Sequence, residues 1–72
     1  MKYIYIARHP SYDIWDDKGV KAAEIHFYEY DRYVRIIYIS EDALNEALRV
    51  IRDIVLRDGL EFPIIRTLRA KV

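Results

Sequence analysis

The sequence has no cysteine, no glutamine, one asparagine and one threonine among its 72 residues. The absence of cysteine excludes disulfide bonds, a thiolate nucleophile and zinc sites built on sulfur. Scarce amides beside abundant isoleucine, tyrosine and arginine are typical of proteins from hot environments. The chain also lacks an apolar run long enough for a membrane helix and the pattern of a secretory leader, so we expect an intracellular, cytoplasmic protein.

What the chain does contain is a large apolar fraction in a short length, with 53% hydrophobic and 33% charged residues. That balance predicts one folded domain over residues 1–72 rather than a disordered segment. A chain of this size buries only roughly 60% of the surface that its unfolded form exposes, so its core is thin. Association with a second copy would therefore add stability.

Charge is distributed unevenly although the formal net charge is zero. Residues 1–48 hold six basic and nine acidic side chains, a balance of −3, whereas residues 49–72 hold six basic and three acidic, a balance of +3. No acidic residue follows Glu61. The overall neutrality gives no general attraction to nucleic acid, so any anionic partner is expected to contact the C-terminal third.

Alternating apolar residues predict three strands in the first half of the chain. The first ends at Pro10 and is followed by a predicted loop from Pro10 to Gly19. Segments 20–30 and 33–39 predict two further strands, joined at Asp31-Arg32 without the glycine of a tight turn, so their register is uncertain. A two-residue turn would place Tyr28 opposite Arg35.

One helix is predicted between Ser40, a suitable N-cap, and Gly59, a suitable left-handed C-terminal residue. Residues 62–72 fit either a helix or a strand, and the alternation favours the strand. The predicted fold is therefore α+β, with a small, mainly antiparallel sheet in the order β-β-β-α-β, its last strand uncertain, and one amphipathic helix packed on one face.

The sheet face opposite the helix is predicted to be rich in tyrosine. On the assumed register it carries His26, Tyr28, Tyr30, Tyr33, Arg35, Ile37 and Ile39, joined by Tyr3 and Tyr5. Such a face is too apolar to stay fully hydrated in a monomer. We expect a homodimer with Tyr28, Ile37 and Ile39 in its interface.

The opening stretch YIYIARHP resembles the start of the histidine phosphatase family, whose first strand ends in an Arg-His-Gly motif. The resemblance covers Arg8 and His9, and implies that the histidine accepts a phosphate. Pro10 replaces the motif's glycine, and the chain lacks the larger α/β domain that supplies a second arginine, a second histidine and an acid. We therefore predict no phosphatase activity that depends on His9.

For the other candidate residues, an ordinary structural role is a better interpretation than a functional site. Asp13, Asp16 and Asp17, with His9, could hold a hard divalent cation, but their spacing matches no calcium loop, and a solvated loop is the better interpretation. His26 is predicted to be a packed or surface histidine. No catalytic residue, cofactor or metal is assigned.

Tyrosine rings interleaved with arginines supply planes on which bases are expected to stack and partners for phosphates, although no named nucleic-acid module is present. The candidate residues are Arg35, Arg66, Arg69, Lys71, Tyr28, Tyr30 and Tyr33. The sequence therefore predicts a non-enzymatic homodimeric module that binds nucleic acid. The alternatives are a protein-interaction or regulatory subunit that docks a protein through the aromatic face, and a small enzyme whose site is completed between subunits.

Overall fold

The described residues form a five-stranded sheet with one helix packed on it, which confirms the predicted α+β class. The computed structural model describes residues 2–61 and 63–71. The elements are β1 (Tyr3–Arg8), β2 (Ser11–Asp16), β3 (Lys21–Tyr28), β4 (Tyr33–Tyr38), α1 (Glu41–Asp58) and β5 (Ile64–Arg69). The strands lie side by side in chain order, antiparallel from β1 to β4, and β5 pairs parallel with β4.

Strand β2 is the main departure from the sequence prediction, which made residues 10–19 a loop. Residues Ser11–Asp16 instead pair with β1 across a turn at His9-Pro10, whose peptide bond is cis. The aspartates suggested a solvated loop, but Asp13 is accommodated in the strand because Arg8 pairs with its carboxylate. The true turn is shorter and begins at Asp16, whose side chain accepts hydrogen bonds from the backbone N–H groups of Lys18 and Val20.

The β3–β4 connection is a four-residue turn, not the assumed two-residue joint. Tyr28 lies opposite Tyr33, and His26 lies opposite Arg35. Arg32 adopts the left-handed conformation there, with φ of 55°. This register differs from the assumed one by two positions, so every side chain of β3 and β4 stays on the face predicted for it.

Helix α1 begins and ends where the sequence predicts. The Ser40 side chain accepts a hydrogen bond from the Ala43 N–H at 3.2 Å. Gly59 is left-handed and donates its N–H to the carbonyl of Val55. The helix packs on β3 and β4, and the core between them contains Ile14, Ala23, Ile25, Val34, Ile36, Ala43, Ala47, Val50, Ile51 and Ile54.

The C-terminal segment forms strand β5, so the strand alternative for the tail is confirmed. Residues 62 and 72 of that prediction lie outside the described residues. Parallel pairing to β4 follows from the chain path, because α1 carries the chain back across the sheet before β5 begins. Within the described part of the chain, no helix has the length and apolar content needed to cross a membrane.

We call the side of the sheet away from α1 the open face. Its residues, taken from the cross-strand pairs, are Ile4, Ile6, Arg8, Ser11, Asp13, Trp15, Glu24, His26, Tyr28, Tyr33, Arg35, Ile37, Ile64, Arg66 and Leu68. The prediction that Tyr3 and Tyr5 join this face is wrong. Tyr5 packs edge-on against Tyr12, which packs against Phe27 beside the core. The open face is consequently more polar than the sequence suggested.

Candidate functional site

A row of five side chains crosses the open face, one from each strand. In order from β1 to β5 they are Arg8, Ser11, His26, Arg35 and Arg66, each directly paired with the next. Neighbouring strands lie about 4.8 Å apart, so the row spans about 19 Å. Its members include three arginines and no acid. We call it the transverse row.

Two tyrosines lie beside this row at the β3–β4 turn. The rings of Tyr28 and Tyr33 stack with their centroids 4.6 Å apart and an interplanar angle of 17°. The Arg66 guanidinium carbon is 4.6 Å from the Tyr33 centroid, and that of Arg35 is 5.6 Å from the Tyr28 centroid. Both distances are within the range of a cation–π contact. The two arginines and two tyrosines therefore form one cluster, which we call the Arg/Tyr cluster.

The arginines of the transverse row differ in their charge partners. Arg8 donates from Nε and Nη2 to the two carboxylate oxygens of Asp13, at 2.7 and 2.9 Å. This bidentate pair lowers the pKa of Asp13 from its usual value. Arg35 and Arg66, by contrast, make no ion pair with any carboxylate of residues 2–61 and 63–71. The positive charge of the open face is thus uncompensated at its β4–β5 side.

His26, at the centre of the row, is hydrogen-bonded at both ring nitrogens. Ser11 Oγ lies 3.0 Å from Nδ1, and Glu24 Oε1 lies 3.0 Å from Nε2. A serine–imidazole–carboxylate chain is the arrangement that activates serine nucleophiles. Here it lies on two interior strands whose backbone N–H groups are used in sheet pairing, so it lacks the backbone donors that stabilise an oxyanion. These two contacts fix the orientation of the imidazole in the row.

The structure brings together four of the seven predicted nucleic-acid residues: Tyr28, Tyr33, Arg35 and Arg66. Arg69 is the cross-strand partner of Tyr38, so it belongs to the helix side of the sheet. Lys71 follows β5 and is exposed, and Tyr30 lies fully exposed in the β3–β4 turn. These three residues stand apart from the Arg/Tyr cluster.

Of the three residues predicted for a dimer interface, two lie on the open face. Ile37 is the cross-strand partner of Leu68, which the sequence prediction did not include. Ile39 packs against the core cluster instead. The sequence prediction missed four apolar residues of the open face, all of them exposed at its two edges: Ile4, Ile6, Ile64 and Leu68. The alternation of side chains along β1 and β5 was the signal that could have located them.

The residues considered for phosphatase chemistry or a metal site near the start of the chain are engaged in other contacts or exposed. Arg8 is occupied by Asp13, and His9 is exposed in the turn after β1. Asp16 uses its carboxylate to hold the following turn. Among the residues that the structure describes, no group of three or more histidine or acidic side chains is placed to hold a metal ion.

An apolar groove of about 470 Å³ lies at the end of the sheet where the β3–β4 turn meets the end of α1. Its walls include Phe27, Val55, Leu60 and Ile64, as well as the two tyrosines of the Arg/Tyr cluster. An ion pair between Arg32 and Glu61, at 3.0 Å, joins two of the residues that line it. The groove thus places an apolar concave surface next to the Arg/Tyr cluster.

No protein-family model, curated protein or solved structure matches the chain significantly.

Proposed function

We propose that the protein is a small non-enzymatic module that binds single-stranded nucleic acid on its open face and acts as a homodimer. The observation that carries the proposal is the side-by-side placement of Arg35 and Arg66, both without a carboxylate partner among the described residues. Like charges on directly opposed strand positions are unfavourable unless an anion lies between them. A nucleic-acid phosphate supplies that anion.

The shape of the surface favours a single strand over a duplex. Readers of duplex DNA insert a helix or a two-stranded ribbon into a groove, and the open face is a sheet surface without such a projection. Single strands are held instead by positive surfaces that follow the backbone, with aromatic groups beside them. The transverse row, about 19 Å long, has the length for a few nucleotides.

The homodimer belongs to the proposal because apolar side chains flank the cationic row. Ile37 and Leu68 are cross-strand partners beside Arg35 and Arg66, and Leu68 is exposed. A second copy that covers this apolar pair and leaves Arg66 accessible would double the number of phosphate contacts available to one strand. The intracellular location expected from the sequence fits such a ligand.

Fluorescence anisotropy with a labelled single-stranded oligonucleotide at about 50 and 200 mM salt tests the proposal. Two to four phosphate contacts on a single strand give a log–log slope of about −1.4 or steeper, so affinity should fall about 7-fold or more across that range. A duplex of the same sequence should bind more weakly. Absence of binding at the lower salt would contradict the proposal.

Matched charge changes locate the surface. The double variant Arg35→Ala/Arg66→Ala should abolish most of the binding. The control Arg49→Ala/Arg57→Ala removes the same charge from the exposed side of α1, where both arginines already pair with acids, and should change affinity by less than about 2-fold. Arg69→Ala should also have a small effect, because Arg69 belongs to the other side of the sheet.

A second candidate function is the docking of a protein partner. The apolar groove beside Tyr28 and Tyr33, together with exposed Ile64 and Leu60, is the specific observation that favours it. An apolar contact is insensitive to salt, whereas phosphate binding weakens steeply as salt rises. A copurified protein whose binding survives high salt, with no measurable oligonucleotide affinity, would select this alternative.

A further inference from the structure

We infer that Tyr28 and Tyr33 do not stack the bases of the ligand but hold Arg35 and Arg66 in position, so that the site recognises phosphodiester groups regardless of base. This inference rests on the proposed nucleic-acid function and assigns the ligand group within it. The tyrosines are then positioning residues, and the two guanidinium groups make the contacts. It replaces the expectation from sequence that these rings stack bases.

The ring faces of Tyr28 and Tyr33 are already occupied in the free protein. The inner faces of Tyr28 and Tyr33 pack on each other, since a centroid separation of 4.6 Å leaves no room for a third group. The Arg66 guanidinium, 4.6 Å from the Tyr33 centroid, therefore lies on the outer side of that ring. A base could stack on Tyr33 only by displacing Arg66, and on Tyr28 only by displacing Arg35, which lies over that ring 5.6 Å from its centroid.

The N–H donors of the stacked arginines remain available to a ligand. A guanidinium that lies against a ring keeps its N–H groups along its own edge, where they can reach a phosphate in a bidentate geometry. Neither Arg35 nor Arg66 uses these donors on a carboxylate of the described residues. The cluster thus presents two held and unneutralised cations side by side.

Stacking on the tyrosines also lowers the entropic cost of binding. Free arginine side chains lose considerable rotamer freedom when they bind, and this loss weakens a surface contact. Contact with the tyrosine stack restricts Arg35 and Arg66 before the ligand arrives. Loss of a ring should therefore weaken binding even though no contact to the ligand is removed.

An abasic oligonucleotide tests the inference against base stacking. We expect a single-stranded oligonucleotide and an abasic strand of equal length to bind with affinities within about 2-fold of each other at about 50 mM salt. Stacking on one tyrosine would instead favour the base-containing strand by about 5-fold to 150-fold. That preference would overturn the inference while leaving the proposed function intact. Failure of both strands to bind would overturn the proposed function.

Variants of Tyr33 and Arg66 provide a second test of the inference. Tyr33→Phe keeps the ring and should bind both strands as the wild type does, whereas Tyr33→Leu should weaken both strands equally, by about 3-fold or more. A loss confined to the base-containing strand would contradict the inference. Arg66→Lys keeps the charge but not the planar fork, and should also weaken both strands; unchanged affinity for this variant would contradict the inference as well.

An NMR readout on the free protein separates positioning from a general structural role. The side-chain δ protons of Arg66 should be shifted upfield by the Tyr33 ring current, retained in Tyr33→Phe and lost in Tyr33→Leu. Backbone amide spectra show whether each variant is folded. If Tyr33→Leu is unfolded, the abasic comparison and Arg66→Lys still decide. Random-coil shifts for Arg66 in the wild type would overturn the inference.

Discussion

At the scale of single residues, the local partner decides what an arginine can do. Arg8 and Arg66 are both members of the transverse row, yet Arg8 is neutralised by a buried carboxylate and Arg66 is not. Arg49 and Arg57 are likewise paired with acids on the helix surface. A charge count from the sequence treats these arginines alike, whereas the structure distinguishes the few that retain an unbalanced charge.

Asp13 gives a residue-scale prediction with a defined pH dependence. Its side chain is 8% exposed and accepts two hydrogen bonds from Arg8, which lower its pKa. A carboxylate whose pKa is lower in the folded state adds stability above its unfolded pKa, and that stability is lost as the pH falls through the folded value. We expect Asp13→Asn to lower the free energy of unfolding by about 1 to 3 kcal/mol at neutral pH.

Urea unfolding of wild type and variant from neutral pH to below about pH 4 measures this effect. The difference should begin to shrink as the pH falls below the unfolded pKa of Asp13 and disappear below its lower folded pKa, where the wild-type carboxyl group is protonated too. Asp53→Asn is the matched control, since that carboxylate is 58% exposed and pairs with Arg49 on the helix surface; its cost should stay below about 0.5 kcal/mol. Equal costs for the two variants, or a pH-independent cost for Asp13→Asn, would refute the argument.

At the scale of elements, the sequence predicted where the helix begins and ends but did not predict the register of the strands. Ser40 and Gly59 act on backbone groups within a few residues, so sequence alone located α1. The faces of β3 and β4 were also predicted correctly, because side chains alternate with a period of two and the register differed by two. No local signal showed that Arg32 would adopt a left-handed turn conformation.

Strand β2 shows why the candidate site was predicted only in part. Its aspartates suggested a loop, and the ion pair that makes Asp13 compatible with a strand involves Arg8, five residues away, across the first turn. Without β2 the transverse row could not be assembled from the sequence. The pairing of β5 with β4, which brings Arg66 beside Arg35, likewise depends on the return of the chain through α1.

The N-cap of α1 provides the element-scale prediction. Replacing Ser40 by Ala leaves the Ala43 N–H without its side-chain acceptor and should lower the free energy of unfolding by about 1 kcal/mol. Thermal or urea unfolding measures the change. Asn45→Ala, at an exposed position of the same helix, is the control and should be neutral or slightly stabilising, because alanine has the higher helix propensity. A Ser40→Ala variant as stable as the wild type would show that water replaces the cap.

At the scale of the whole molecule, neutrality of the chain conceals a separation of charge. Several arginines are cancelled by neighbouring acids, including Arg8, Arg32, Arg49 and Arg57, while Arg35 and Arg66 remain unpaired with any acid in the described residues. A net charge of zero predicts weak long-range attraction to an anionic polymer. Affinity should therefore come from short-range contacts, with slow association relative to strongly basic binding proteins.

Self-association is the prediction that concerns the molecule as a whole. The central row of the open face is polar, so burying all of it in a dry interface would be costly. The end of β5 beyond Arg66 is apolar instead, with Leu68 57% exposed next to Ile37. We expect sedimentation at micromolar concentration to give twice the chain mass, through a contact that includes this pair. Ile37→Asp and Leu68→Asp should each shift the protein to a monomer.

Leu56→Asp is the matched control for Leu68→Asp, because Leu56 is an even more exposed leucine, at 70%, and lies on α1 away from the open face. Leu56→Asp introduces the same charge as Leu68→Asp without touching the proposed contact, so it should remain a dimer. Dissociation by Leu56→Asp alone would place the interface on the helix, and a monomeric wild type would remove the dimer from the proposed function. If Leu68→Asp is a folded monomer that binds oligonucleotide several-fold more weakly than the dimer, the loss measures what the second copy contributes, since two linked sites bind one strand more tightly than either alone.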